Sequence, residues 1–265
     1  MNPLRIGPLA MLIASLTTIP ALSQDLLQGL DLTSPAMTEA EVTREEVATS
    51  LAAATQDSPA DFTSMRLSGL DLSGLDFKGA ILRDARLNNA NLERADLAGA
   101  VLDQAWLLNA DLTDARLNGA SLFQAQLIGA TLDHADLSGA RAPSNFSKAS
   151  LKGAKLVGTS LGADMTNQSM GLLRGVFRNA DLEGADFSNA DLSRVDLQFA
   201  SLRGANLSGA NLTFADLSGA DLTGAKVKGA NFKDADVHSA KLQSLIGADA
   251  TNLDEARNLA NSVRD

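Results

Sequence analysis

From Ala60 onward the chain repeats every five residues: a small residue, Asp or Asn, Leu or Phe, then two variable positions. Ala90-Asn91-Leu92-Glu93-Arg94, Ala95-Asp96-Leu97-Ala98-Gly99 and Ala220-Asp221-Leu222-Thr223-Gly224 are typical units. The large position is Phe62, Leu67, Leu72 and Phe77, continuing in steps of five to Leu137. It resumes at Phe146, Leu151, Leu156 and Leu161, and again from Leu172 to Leu242. The 35 such positions hold only Leu, Phe or Val, and the residue two places earlier is nearly always Ala. A period of five matches neither the 3.6 of a helix nor the 2 of a flat strand. It fits a short extended edge followed by a turn. In an edge Ala-x-Leu, residues two apart share a side, so Ala and Leu face inward and Asp or Asn outward. The next two residues, rich in Gly, Ser, Asn and Asp, turn the corner. Repeated corners wind the chain into a coil, and stacked coils bury one column of Leu and one of Ala. Each fully buried Leu or Phe contributes roughly 1.5–3 kcal/mol, along an axis on which every coil touches only its neighbours.

These units resemble the pentapeptide-repeat proteins, whose consensus is Ala-(Asp/Asn)-Leu-x-x, over about Ala60 to Leu242. The resemblance implies an all-β solenoid, a right-handed quadrilateral β-helix with four pentapeptides per coil. On that basis the repeats make about nine coils, carried by a domain at 60–250, with short flanking α-helices. The register loses one residue at Arg141-Ala142-Pro143 and gains one around Ala163 to Ser169, giving irregular stretches at 141–148 and 162–169. Ala140 to Ala180 is then 40 residues, two square coils, so every face is expected to resume its phase.

Bare coil ends offer unpaired backbone groups to other chains, and the flanks supply covers. Residues 24–59 read as an N-terminal helical cap and linker. Thr38 with Glu41 forms a capping box opening a helix to about Ala54, with Ala40, Val47, Leu51 and Ala54 on one face. Thr55 to Pro59 is the linker, and Leu30-Asp31-Leu32, echoing Leu70-Asp71-Leu72, is expected as a stray edge against the first coil. Asn252 with Glu255 opens a second capping helix, in the segment 251–265, carrying Ala256, Leu259 and Val263. Residues 1–23 read as a secretory signal peptide: Arg5, a short apolar run from Leu9 to Leu16, and Ala21-Leu22-Ser23 before Gln24. Cleavage after Ser23 predicts a periplasmic or secreted protein without a membrane span. The chain has no Cys, in keeping with export and excluding thiol chemistry.

Little points to catalysis. The two histidines, His134 and His238, have acidic neighbours but no nucleophile in a supporting context. No Gly-rich phosphate loop and no basic cluster interleaved with aromatics occurs, so no cofactor and no nucleic-acid partner is expected. Twenty-residue coils would stack Asp196, Asp216 and Asp236 in one outward column. Hydrogen bonds from turn amides and neighbouring side chains, rather than a calcium ion, are the expected compensation. Some members of the resembled family protect DNA gyrase by imitating duplex DNA. Here residues 24–59 hold seven acids against one base, whereas 60–250 hold 22 against 18, nearly balanced for such mimicry. The sequence therefore predicts a non-enzymatic exported rod, monomeric or weakly dimeric, that binds or scaffolds an unidentified protein; a DNA mimic acting on a topoisomerase and an enzyme of unrecognised type are the alternatives from other classes.

One stretch breaks the polar rule for outward positions. Ile81, Val101 and Trp106 precede large positions, and Leu108, Phe123 and Ile128 follow them, so all six should point outward on two adjoining faces. Ile81 would stack on Val101, Leu108 on Ile128, and Arg86 on Trp106 in a cation–π contact. This apolar patch around the only Trp is the candidate partner site. The N-terminal helix folding back over it is the competing expectation.

Overall fold

The computed structural model describes residues 31–163 and 173–265. Two compact units divide the chain, Met1–Leu32 and Thr33–Asp265, and the second carries the repeats. The expected signal peptide lies outside the described residues, and so does the start of the Leu30-Asp31-Leu32 edge.

Each pentapeptide contributes one side of a coil. Parallel bridges join Asp61 to Ile81, Arg66 to Arg86, Asp71 to Asn91 and Asp76 to Asp96, each twenty residues apart, so four sides close one turn of a solenoid. Three hydrogen bonds knit a typical unit to the next coil: Leu92 N–H to the Asp111 carbonyl at 2.6 Å, Asp111 N–H to the Ala90 carbonyl at 3.0 Å and, at the corner, Arg94 N–H to the Thr113 carbonyl at 2.9 Å. The corner is closed by a bond from the next Ala amide to the Leu carbonyl, as from Ala95 to Leu92 at 2.9 Å. Its second variable residue has positive φ, as a type II turn requires. Inside, the Leu and Ala columns are almost completely buried.

The Asp or Asn of each unit has a backbone task. Its side-chain oxygen accepts the amide two residues on, as in Asp111 to Thr113 (2.9 Å) and Asn91 to Glu93 (3.0 Å). This local bond satisfies a turn amide that the sheet ladders do not use.

The irregular stretches behave differently from the expected 40-residue phase. At Ala142-Pro143-Ser144 a side shortens to four residues: Arg141 bridges Ser121, and Asn145 bridges Gln126. Ser144 takes the Ala place, and its hydroxyl donates to the Leu122 carbonyl. Ser160 and Val176 then form successive sides of one coil, since Ser160 pairs with Arg141 and Val176 with Asn145. The insertion therefore leaves at a single corner, and Ala140 to Ala180 spans six sides rather than eight. Leu172 lies outside the described residues. Phe146 and Phe177, stacked 4.7 Å apart at 5°, continue the core across the break.

At the N-terminus, α1 (Pro35–Thr38) and α2 (Arg44–Ala53) cover the first coil. The capping box is Thr43 with Glu46, not Thr38 with Glu41. Glu41 instead serves the sheet edge: its amide donates to the Arg66 carbonyl and its carboxylate accepts the Arg66 amide, both at 2.9 Å. Arg44 donates to the Asp71 and Ser73 carbonyls at 2.5 and 2.8 Å. Val47 is buried against the core, with Leu51 and Ala54 partly so.

No α-helix forms from Asn252. Three short 3-10 turns, Ala248–Ala250, Leu253–Glu255 and Leu259–Asn261, alternate with bridges of Arg257 to Asp236 and Val263 to Lys241. The segment prolongs the solenoid with longer sides. A helix this short is marginal, whereas the open coil offers partners: Leu242 N–H reaches the Val263 carbonyl at 2.7 Å, and Phe232 N–H reaches the Asn252 side chain at 2.7 Å. No helix among the described residues is long and apolar enough to cross a membrane.

Candidate functional site

The four ladders define four faces, named by their first residue: the first from Asp61, the second from Arg66, the third from Asp71 and the fourth from Asp76. The outward apolar residues fall on the first two. Ile81 bridges Val101 on the first face, and Arg86 bridges Trp106 on the second. Ile81, Val101, Trp106, Phe123 and Ile128 are half-buried. Between the faces runs a polar corner, where the Gln104 amide donates to Gln124 at 3.1 Å.

Leu108 leaves the patch, being only 8% exposed. Its amide donates to Asn88 Oδ1 at 3.0 Å, and Asn88 Nδ2 donates to the Met37 carbonyl of α1 at 3.0 Å. Asn88 and Met37 are themselves buried. The N-terminal segment thus closes over this end of the second face.

The expected stacking of Arg86 on Trp106 is absent: among the described residues the guanidinium–ring contacts are Arg141 over Phe123, at 4.2 Å, and Arg194 over Phe214, at 4.6 Å. Among the described residues Arg86 has no side-chain hydrogen-bond or ion-pair partner, and its Nε is buried.

Sequence reasoning missed a second apolar feature. Phe199 and Phe214, 63% and 46% exposed, occupy positive-φ corner positions on either side of the second face. Phe199 rests where a Cβ on Gly219 would come within 2.5 Å of its ring, so the glycine lets the ring lie along the corner. The signal was present as two Phe residues at turn positions otherwise filled by Gly, Asn or polar side chains.

The Asp196–Asp216–Asp236 column bridges as expected on the second face. Each carboxylate accepts a turn amide, from Gln198, Ser218 and His238 in turn. Arg178 Nε lies 2.6 Å from the buried Asp196, Gln198 donates to Asp216, and Asn258 donates to Asp236 at 2.9 Å. For Asp216, partial burial raises the carboxyl but is outweighed by hydrogen bonds from Ser218 and Gln198, which hold it below the usual range. On the third face burial is likewise outweighed at Asp221, where Thr223, Lys241 and Arg203 hold the carboxyl at about 2. The carboxylates of the Asp196–Asp216–Asp236 column are thus occupied by turn amides and by neighbouring Arg, Gln and Asn side chains. Among the described residues no cluster of His, Cys, Asp and Glu could hold a metal ion. His134 and His238 are exposed on different faces, and Asp133 turns to Ser150 and Lys152.

The family pattern of pentapeptide repeats matches in eight copies, over residues 60–84, 82–114, 107–141, 176–209 and 210–244. No curated protein sequence matched the chain. Among solved structures, it is similar to HetL, a pentapeptide repeat protein involved in heterocyst differentiation regulation in the cyanobacterium Nostoc, at 28% identity. That alignment covers 84% of this chain and 97% of HetL, with a TM-score of 0.29. It is also similar to QnrB1, a plasmid-mediated fluoroquinolone resistance protein, at 19% identity over 76% of this chain and 91% of that one, TM-score 0.42. A pentapeptide repeat protein from the Arabidopsis thaliana thylakoid lumen is 26% identical, over 66% of this chain and 69% of its own, TM-score 0.23. With every one of these scores below 0.5, kinship rests on the sequence pattern and not on superposition.

Proposed function

The chain belongs to the pentapeptide-repeat family, and from that premise we propose that it is an exported, non-enzymatic rod that binds a protein partner through its first and second faces. The observation that carries this reading is the cluster Ile81, Val101, Trp106, Phe123 and Ile128, outward-facing on a solenoid whose other outward positions are mostly polar. Contiguous apolar surface marks interaction sites, and Trp is a favoured anchor. The carboxylates are tied up in turns and ion pairs, which suits a scaffold better than a catalyst. The same pairing, with 22 acids against 18 bases over 60–250, gives little support to imitation of DNA. Export rests on the leader-like residues 1–23, and the mature protein should begin at Gln24.

The test is site-specific photo-crosslinking in the periplasm, with the photoreactive side chain at Val101 or Ile128 and a control at Glu183, exposed on the third face. One defined product is expected from the first two positions and none from the control. Trp106→Ala with Phe123→Asp should abolish it without lowering the thermal midpoint. Equal labelling from both faces, or a large loss of stability in the double variant, would overturn the proposal.

A further inference from the structure

We infer that the partner presents an acidic, apolar segment to this patch and pairs a carboxylate with Arg86. The inference rests on the reading of the patch as a binding surface and adds the chemistry of what binds there. Acids outnumber bases 32 to 22 in the chain, and many of the cations on the solenoid have a carboxylate at hand. Arg66 has Glu41 at 3.4 Å, Arg116 has Asp96 at 2.8 Å, Arg178 has Asp196 at 2.6 Å and Arg203 has Asp221 at 3.3 Å. Arg86 has none among the described residues, although it sits in the same ladder between Arg66 and Trp106.

Arg83, near Ile81 on the first face, has no carboxylate within 4 Å among the described residues, although its charge is felt by Asp61. The carboxylate next above it, Asp103, is turned away to the Ser121 hydroxyl at 2.5 Å and the Phe123 amide at 3.0 Å. Lys226 and Lys228 also have no carboxylate partner among the described residues, but both are exposed and remain solvated. Arg86 differs because it is half-buried: its Nε is enclosed by the chain, while its two terminal nitrogens remain open at the surface without an acceptor among the described residues. The enclosed Nε holds the guanidinium against the face, and the open end of its planar fork suits a carboxylate. The apolar residues around it require that the carboxylate arrive among apolar side chains.

Because Trp106 is the only Trp, its emission reports the patch directly. The probes are three soluble synthetic peptides in which Leu and Phe alternate with Glu, with Lys or with Ser. The Glu peptide should shift Trp106 emission saturably and bind more weakly as salt rises. Arg86→Gln should weaken it by about tenfold or more, the scale of one charge-assisted bidentate pair, without lowering the thermal midpoint. A structural role for Arg86 would lower that midpoint. Arg86→Glu should transfer preference to the Lys peptide, Arg83→Gln should give a smaller loss, and Lys226→Gln should give none. Equal binding of Glu and Lys peptides, no saturable shift, or indifference to both arginines would overturn the inference. If crosslinking through Val101 still gives a defined product, acidity alone is refuted; if it does not, the binding surface falls as well.

Discussion

Asn88 stands at a variable position of its repeat, where the five-residue pattern predicts that substitution by Ala should be close to neutral. The structure reverses that expectation, because Asn88 is 3% exposed and uses both ends of its amide, to Met37 and to Leu108. Asn88→Ala leaves a buried amide and a carbonyl without partners, at a cost of about 1–3 kcal/mol. Thermal unfolding should show a clear drop in midpoint, and Trp106 emission should shift to longer wavelength as α1 loosens. An unchanged midpoint would mean that α1 is not held through Asn88. The pattern could not announce this role, since it assigns directions to side chains and is silent about which outward residues another segment will cover. The same limit explains Leu108, read as a surface residue by position and buried by α1.

The elements at the two ends show how far local signals carry. Thr43-x-x-Glu46 and Thr38-x-x-Glu41 both spell a capping box, and only the first caps a helix. Glu41 is drawn off by the Arg66 amide, an open sheet group that a lone helix would not meet. Asn252-x-x-Glu255 spells a third, and there the free amides of the last full coil outcompete the helix. Capping boxes are thus necessary context rather than sufficient signal when an unpaired β-edge lies within reach. Thr43→Ala removes the bond to the Glu46 amide and should cost about 1 kcal/mol. Hydrogen exchange should locate that loss in α2 and in the edge amide of Arg66, leaving distant amides such as Leu207 as protected as before. Loss spread evenly over the solenoid would show that the cap is not a local element.

At the scale of the molecule, the inward columns were legible because a strict period leaves Leu92 and Leu207 only one direction to face. The four-sided coil came from family resemblance, and the bridges from Asp61 to Ile81 onward carry it. The phase across the insertion was not legible, since counting residues cannot tell extra sides from a loop: only the pairing of Val176 with Asn145 does so. That pairing has an energetic consequence. All four ladders continue past the insertion, from Asn145, Ser150, Lys155 and Ser160 to Val176, Asp181, Asp186 and Asp191, so stability should pass along the rod through nearest-neighbour terms. Leu207 lies fully buried, with its amide bonded to the Lys226 carbonyl of the next coil. Leu207→Asp places a charge there with no partner, a change expected to cost several kcal/mol. Coils adjoining Leu207 should lose amide protection first, in the Asp186 and Lys226 ladder, and coils before Ser121 last. Native-state hydrogen exchange on the variant measures this order. A uniform loss from Phe62 to Leu242 would instead mean that the solenoid opens as one cooperative block, and that the insertion is no weaker a joint than any regular corner.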